Sequence, residues 1–229
     1  MSRVKLLLGP ISLAAFLLFP GCAAETLFLA TFNSDTVGSP PATNQSTGTV
    51  GLDEGAGTVR VVLPPPGATT NWVEISHPTA PSPQTAMQGR FAQFKGLGTY
   101  GLLAVLFIPQ DCGVVTLQFE PFGQGAATYT NFLHLDFMPN NTVRVDDSST
   151  VFGTFPRDQF FTVSVSLNIS ATSATSHMAL FGAGASGSLD YNVTGPLVLA
   201  QQFGAVRFWM GFQHTGRFKV DEILVTRNK

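Results

Sequence analysis

Apolar and polar side chains alternate with a period of two along most of the chain after residue 25. In the run 161–169 every odd position is Phe, Val, Leu or Ile, and every even position is Thr, Ser or Asn. Such alternation is typical of a β-strand with one buried face, and 206–212 repeats it. The run 100–108 is apolar almost throughout, which predicts a central strand covered on both sides. Further strands are predicted at 27–33, 57–63, 72–76, 88–94, 113–120, 130–138, 142–147, 175–181 and 217–226.

The spacing of these strands predicts the fold class. No stretch after residue 25 keeps helical periodicity over three turns, and clusters of Gly, Pro, Asn and Ser separate the strands. There is no internal repeat and no segment long enough to link two domains. About a dozen short strands therefore predict an all-β fold, with one domain at 25–229 built as a two-sheet antiparallel β-sandwich of jelly-roll type.

The first 24 residues have a different character and predict export. Arg3 and Lys5 precede an apolar run at 6–19, and small residues follow it, as in a secretory signal peptide. The run is shorter than the roughly 20 residues that a membrane-spanning helix needs. The sequence thus predicts an exported protein, with no membrane segment in the mature chain.

The end of this leader resembles the lipobox of bacterial lipoproteins, in which an acylated Cys becomes the mature N-terminus. Gly21 and Cys22 fit that pattern, whereas Phe19 and Pro20 depart from it. The resemblance implies lipid attachment at Cys22 and a lipoprotein at the outer membrane or facing the periplasm. Ordinary cleavage after Ala24 is the alternative, and it implies a periplasmic or secreted protein.

Composition narrows the range of partners. Charged residues make up 11% of the chain, against about 25% in ordinary soluble proteins, and the net charge is −2. No basic cluster is present that would neutralise a row of phosphates, so nucleic acid is not an expected partner. Only two cysteines occur, so no disulfide framework is expected. Cys112 lies in a turn-like segment, where a partly buried small side chain is expected rather than a catalytic thiol.

One predicted hairpin carries the densest group of polar side chains. Matching the apolar faces of 133–137 and 143–145 selects a three-residue loop. This register places Asp136 opposite Arg144 and His134 opposite Asp146. Such a patch can hydrogen-bond a sugar, or it can be a solvated face with charges paired across strands. Trp209 lies on the polar side of its own strand, where it can stack on a ligand or be covered by a neighbouring loop, the commoner fate of a Trp.

Three stretches resemble the concanavalin A-like lectin and glucanase sandwiches, a group that includes the laminin G-like modules. The stretch 32–41 is similar to their opening strand and its Gly-Pro exit, 155–169 to a long strand after an aromatic turn, and 218–225 to their closing strand. The resemblance implies the sandwich fold, with the first and last strands close together. It also implies carbohydrate recognition as the leading function.

Catalytic and metal signals are weaker. A glycosidase needs two carboxyl groups flanking the scissile bond, and no strand carries acids two or four positions apart. The four histidines lack metal-binding spacing, so no metal site and no cofactor are expected. A structural calcium ion at 146–149, as in some laminin G-like loops, is the one weaker alternative.

We therefore expect an exported cell-envelope protein that binds carbohydrate or another envelope component and has no evident catalytic site. A structural envelope lipoprotein without a small ligand is the first alternative. A glycan-cleaving enzyme that draws its carboxylates from separate strands is the second. The candidate binding residues are His134, Asp136, Arg144, Asp146 and Trp209.

Overall fold

A computed structural model describes residues 24–228, which form fifteen strands and one short helix. Cys22 and all but the last residue of the predicted signal peptide lie outside the described residues. The helix α1 (Leu197–Ala200) has four residues. No helix within 24–228 has the length and apolar character needed to cross a membrane.

The strands pair antiparallel in two sheets. The eight-stranded sheet contains, in spatial order, β13 (Ser188–Asn192), β12 (Ala174–Phe181), β11 (Phe160–Ile169), β6 (Gly98–Phe107), β15 (Gly216–Asn228), β4 (Trp72–His77) and β3 (Thr58–Val62), and β1 (Glu25–Ala30) pairs with the second half of β15. The seven-stranded sheet contains β10 (Val151–Thr154), β9 (Thr142–Val145), β8 (Leu133–Phe137), β7 (Val115–Pro121), β14 (Phe203–Met210), β5 (Thr85–Arg90) and β2 (Thr49–Asp53).

The two sheets face each other across one apolar core. On β11 the inward side chains of Val163, Val165 and Leu167 are buried, because the period of two sends them all to one face. Many of the Phe residues also lie in this core. Phe203, for example, packs against Phe119 and Phe132, with ring centroids 5.7 and 5.6 Å away. Burial of these faces is the main force that holds the sheets together.

The two-sheet sandwich predicted from the alternation is confirmed, and each predicted strand overlaps an observed one. The expected proximity of the first and last strands is also confirmed, since Leu29 on β1 pairs with Leu224 on β15. Three strands, β2, β10 and β13, were not expected, and each is the outermost strand of its sheet. An edge strand is paired on one side only and buries less apolar surface, so its alternation is weak.

The run 100–108 is a central strand, as predicted, but the prediction that it is covered on both faces is wrong. β6 is central in its sheet, and Tyr100 and Leu102 point into the core. The opposite face is not fully covered, because Leu103, Val105 and Phe107 are only half-buried. A continuously apolar run therefore marks the centre of this sheet but does not imply a second covering layer.

Candidate functional site

The outward face of the seven-stranded sheet presents a transverse row of side chains at its centre. Trp209 on β14 lies opposite Thr116 on β7, and Thr116 lies opposite Asp136 on β8. Asp136 in turn lies opposite Arg144 on β9. Directly opposed residues in antiparallel strands point to the same face. Trp209, whose sheet could not be predicted, therefore shares one face with Asp136.

A second row runs parallel to the first, two residues further along each strand. Arg207 lies opposite Gln118, and Gln118 lies opposite His134. The alternate, outward-facing positions of the three neighbouring strands β14, β7 and β8 therefore bring several hydrogen-bonding groups onto one surface. The predicted hairpin register is confirmed, because Leu135 pairs with Val145 and Phe137 with Val143.

Asp136 and Arg144 face each other but do not form the expected cross-strand ion pair. The Asp136 carboxylate instead accepts a hydrogen bond from Thr116 Oγ1 at 2.6 Å. Arg144 Nε is buried and has no hydrogen-bond partner among the described residues. Burial raises the pKa of Asp136, and the hydrogen bond from Thr116 opposes this rise. The interpretation of this patch as a solvated face of paired charges does not describe Asp136.

His134 is surrounded by three carboxylates. Its Nε2 lies 3.7 Å from Asp136 Oδ2 and 3.7 Å from Asp147 Oδ1, and its Nδ1 lies 3.6 Å from Asp146 Oδ1. The backbone N–H of His134 donates to Asp146 Oδ1 at 3.0 Å, so the expected opposition of these two residues is confirmed. Asp146 has a positive φ of 49°, which turns the chain and brings the fully exposed Asp147 towards His134.

Three of these side chains together offer a set of possible metal ligands. One ligand atom each from His134, Asp136 and Asp147 lie within 4.8 Å of one another. One imidazole nitrogen and two carboxylate oxygens suit zinc or manganese better than calcium, which takes six to eight oxygen ligands. The sequence did not predict this cluster, because Asp146 and Asp147 are adjacent and a regular strand would send them to opposite faces.

Hydrogen bonds hold the turn at 146–149, the segment named above as the weaker alternative for a calcium ion. Asp146 Oδ2 accepts hydrogen bonds from Tyr191 and Thr194, at 2.8 and 3.2 Å. Ser148 Oγ donates to the backbone carbonyl of Val145 at 2.5 Å. These hydrogen bonds hold the turn and tie it to the segment 191–194.

These residues line a groove of about 410 Å³ on the outward face. Its polar and charged lining residues on and beside strands β7 and β8 include Thr116, Gln118, His134, Asp136 and Asp147. Trp209 and Tyr129 add two aromatic rings, whose centroids lie 6.0 Å apart. The remaining lining residues are Val114, Asn131, Gly211, Phe212, Gln213 and His214. The groove combines apolar rings with converging polar groups, as small-molecule sites do.

The loop between β7 and β8 covers part of this face and supplies Tyr129. Arg207 holds the loop down, since its guanidinium donates hydrogen bonds to the carbonyls of Ala126, Gly125 and Thr128. The Arg207 guanidinium also lies 4.8 Å from the centroid of the Tyr129 ring. Tyr129 in turn donates its hydroxyl to Asp53 on β2, and burial raises the pKa of Tyr129 to about 12. Tyr129 is therefore fixed at both its ring and its hydroxyl.

Sequence reasoning missed Tyr129, Asn131 and His214, which reach the groove from loops or from beyond strand ends. No periodic signal could have placed them. Thr116 and Gln118 could have been found, because they occupy the polar phase of the predicted strand at 113–120.

Neither protein-family models nor curated proteins match the sequence. Solved structures match the fold. Arcelin-5, a lectin-like defence protein from Phaseolus vulgaris, superimposes with a TM-score of 0.55 at 8% identity over 90% of this chain and 98% of that one. Lectin UEA-II, solved in complex with galactose, gives a TM-score of 0.53 at 10% identity over 90% of this chain and 99% of that one.

A sialidase is also similar, at 10% identity and a TM-score of 0.49 over 75% of this chain, which spans 17% of that protein. The lectin superpositions cover nearly the whole of both chains. The fold is therefore the concanavalin A-like sandwich, the class that the sequence resemblance implied. At such low identity the likeness concerns the fold alone, so the function is argued from the groove.

Proposed function

We propose that this protein is a carbohydrate-binding module and that the groove on the outward face of its seven-stranded sheet is the binding site. The observation that carries the proposal is the meeting of half-buried Trp209 with His134 and Asp136 in one groove. The volume of about 410 Å³ lies within the range of about 300–1,000 Å³ that small-ligand pockets occupy. It suits one or two sugar rings.

The groove matches the two kinds of surface that a sugar presents. The C–H faces of a pyranose ring are apolar and pack against flat aromatic rings, which Trp209 and Tyr129 provide. The hydroxyl groups around the ring are both donors and acceptors. Half-buried Asp136 can accept hydrogen bonds from them. His134 also lines the groove and supplies a ring nitrogen.

A glycan array followed by titration calorimetry on the best ligand tests this proposal. We expect Trp209→Ala to weaken binding at least tenfold, because it removes the largest stacking surface. Phe181→Ala is the matched control, since this exposed aromatic residue lies on β12 in the other sheet. Binding that survives Trp209→Ala unchanged, or that falls equally in both variants, would overturn the assignment of the groove.

A cation is not required by these contacts, because side chains meet the sugar directly. We therefore expect binding to persist in EDTA and to be unchanged by added zinc or manganese. A different result would be that EDTA abolishes binding, that one metal restores it, and that this metal does not restore binding in His134→Ala. It would show that His134, Asp136 and Asp147 hold an ion that the ligand needs.

We further propose that the protein is exported and tethered to the cell envelope through a lipid on Cys22. The leader at 6–19 and the Gly21-Cys22 step support this proposal. Membrane fractionation of the full chain should place it with membranes, and Cys22→Ala should release it. If Cys22→Ala stays with the membranes as before, ordinary cleavage after Ala24 becomes the better account of the leader.

Glycan cleavage is a second candidate function, favoured by one observation. Carboxylate oxygens of Asp136 and Asp147, which both line the groove, lie within 4.8 Å of each other. Retaining glycosidases hold their two carboxyl groups about 5–5.5 Å apart and give the acid a raised pKa. Burial raises the pKa of Asp136, whereas Asp147 is fully exposed, so their environments differ in the sense that acid and nucleophile require.

A reducing-end release assay on the glycans that bind separates the two functions. For a binding module we expect no release, and Asp147→Asn should leave affinity within about threefold because its carboxylate is solvated. Release that both Asp136→Asn and Asp147→Asn abolish, but that Asp190→Asn does not, would establish the enzyme instead. Asp190 is a suitable control because it is an exposed Asp on β13 in the other sheet.

A further inference from the structure

Four large apolar side chains are exposed in the loops at one end of the sandwich. Phe94 and Leu97 lie between β5 and β6, Phe122 follows β7, and Val198 is on α1 before β14. Their exposed fractions range from 39% for Phe122 to 57% for Val198. Exposure of large apolar side chains to water is unfavourable, and a group of them at one place indicates an interaction surface.

Strand pairing shows that the chain enters at this same end. Glu25, the first residue of β1, is opposite Arg227 near the end of β15, and Asn228 is opposite Thr99 at the start of β6. The loop that precedes β6 and carries Phe94 therefore lies at the end where β1 begins. In the other sheet, Pro121 is opposite Phe203, so the end of β7 is opposite the start of β14.

Direct contacts attach the Phe94 loop to the start of β1. Lys95 Nζ lies 2.5 Å from Glu25 Oε1, and Arg227 Nη2 donates to the carbonyl of Leu97 at 2.6 Å. The Phe94 and Phe122 rings have centroids 6.0 Å apart, which joins the two loops into one apolar surface. This surface is thus held beside Glu25, the first residue of β1, which follows the predicted leader.

We propose that Phe94, Leu97 and Phe122 form a docking surface for a phospholipid bilayer, which the lipid anchor on Cys22 brings into contact with the membrane. This inference rests on the proposed envelope tether. Three peptide steps separate Cys22 from Glu25 and span at most about 11 Å. An anchored chain therefore cannot hold this end of the sandwich far from the lipid headgroups.

The chemistry of the surface fits a bilayer interface. Phe and Leu are typical of the apolar faces that interfacial segments bury at the headgroup–acyl boundary, and the surface consists of Phe94, Leu97 and Phe122. Burial of apolar side chains adds to the membrane affinity that acyl chains provide. The apolar loops lie on the same side of the molecule as the anchor and can make that contact.

The position of the groove agrees with this orientation. Phe212 and His214 follow the end of β14, and Val114 precedes β7, so these lining residues lie at the end opposite Phe203 and Pro121. Docking through Phe94 and Phe122 would leave this part of the groove open to solvent. The surface and the groove can therefore act at the same time.

Fluorescence quenching by brominated lipids tests the proposal on the full chain. The protein is expressed with its leader and reconstituted into vesicles of phosphatidylethanolamine and phosphatidylglycerol that carry bromines on the acyl chains. Phe94→Trp places a new tryptophan on the docking surface. Phe181→Trp is the control, because Phe181 is equally exposed but lies where β12 ends, opposite the start of β11 at the far end of the sandwich. The mass of the Cys22 peptide reports lipidation separately.

With Cys22 lipidated, we expect the emission added by Phe94→Trp to be largely lost in brominated vesicles and that of Phe181→Trp to be retained. A lipidated chain with no quenching at position 94, or with equal quenching at both positions, overturns the docking surface and leaves the tether intact. An unmodified Cys22 overturns the tether. In that case vesicle sedimentation tests the docking surface. Vesicle binding that the double substitution Phe94→Ser and Phe122→Ser abolishes supports the docking surface. Absence of vesicle binding overturns it.

Discussion

Arg207 and Glu120 form a fully buried ion pair on the outward face of the seven-stranded sheet. Arg207 Nε lies 2.5 Å from Glu120 Oε1, and neither side chain is exposed to solvent. Gln88 also donates a hydrogen bond to Glu120, and the remaining donors of Arg207 hold the β7–β8 loop. Burial raises the pKa of Glu120, and the hydrogen bonds from Arg207 oppose the rise. The pair is covered by the loop that it helps to hold.

Removing the charge of Glu120 should therefore destabilise the protein strongly. Glu120→Gln leaves the Arg207 guanidinium buried without a counter-charge, which costs about 3–5 kcal/mol in comparable pairs. Glu74→Gln is the matched control, because Glu74 lies 3.9 Å from Lys219 in a partly exposed pair and should cost no more than about 1 kcal/mol. Urea unfolding of both variants measures the difference, and equal losses would contradict the role given to the buried pair.

Arg207 should also act on the binding groove through the loop that carries Tyr129. Arg207→Lys keeps the positive charge but cannot reproduce the planar set of donors that holds the loop carbonyls. We expect weaker glycan binding, by about tenfold, together with faster proteolysis within 123–131. Arg217→Lys, at an exposed position of β15, should change neither. Unaltered affinity with a protease-sensitive loop would show that Tyr129 contributes little to the site.

Cys112 should be chemically inert in the folded protein. Its side chain is buried, and burial raises the pKa of its thiol to about 12, so the reactive thiolate is scarce at neutral pH. We expect Cys112 to react with a disulfide reagent such as DTNB only after unfolding in urea, with Cys112→Ala as the blank. Fast modification in the native state would contradict the burial and would reopen a chemical role for this cysteine.

The sequence carried enough information for the sandwich and for one hairpin of the site. Strict alternation around 133–137 and 143–145 leaves a single register that buries every apolar side chain, so Asp136 had to lie opposite Arg144. Alternation does not encode which strands are neighbours in a sheet. The proximity of Trp209 to Asp136 depends on the order β14-β7-β8, which only the assembled sheet shows.

Other parts of the site depend on backbone conformations that have no periodic signal. Asp147 reaches His134 because Asp146 adopts a positive φ, and Tyr129 reaches the groove because Arg207 binds the loop carbonyls around it. The expected pairing of Asp136 with Arg144 fails for a related reason. Thr116, on the other neighbouring strand β7, donates a hydrogen bond to Asp136 at 2.6 Å, and strand order is not encoded in the alternation.

Asp221 is a buried acid in the other sheet, away from the groove. It points outwards from β15 next to a bulge at Glu222, yet it is only 1% exposed. Its Oδ2 accepts a hydrogen bond from Thr70 Oγ1 at 2.6 Å, whereas its Oδ1 is buried without a hydrogen-bond partner among the described residues. Burial is the main cause that raises the pKa of Asp221, to about 7.

The contribution of Asp221 to the stability of the protein should therefore be lost as the pH rises from about 4 to about 7, where Asp221 ionises in its buried site. The folded state binds this proton more tightly than the unfolded chain, so the stabilisation is complete below the unfolded pKa of about 3.9. Asp221→Asn keeps the shape and the bond from Thr70 but does not titrate. The Asn variant should gain stability relative to the native chain between about pH 4 and about pH 7, by up to about 4 kcal/mol. Urea unfolding across this range measures the gain, with Asp190→Asn as an exposed control that should show none. A constant difference between Asp221→Asn and the native chain at every pH would mean that folding does not raise the pKa of Asp221.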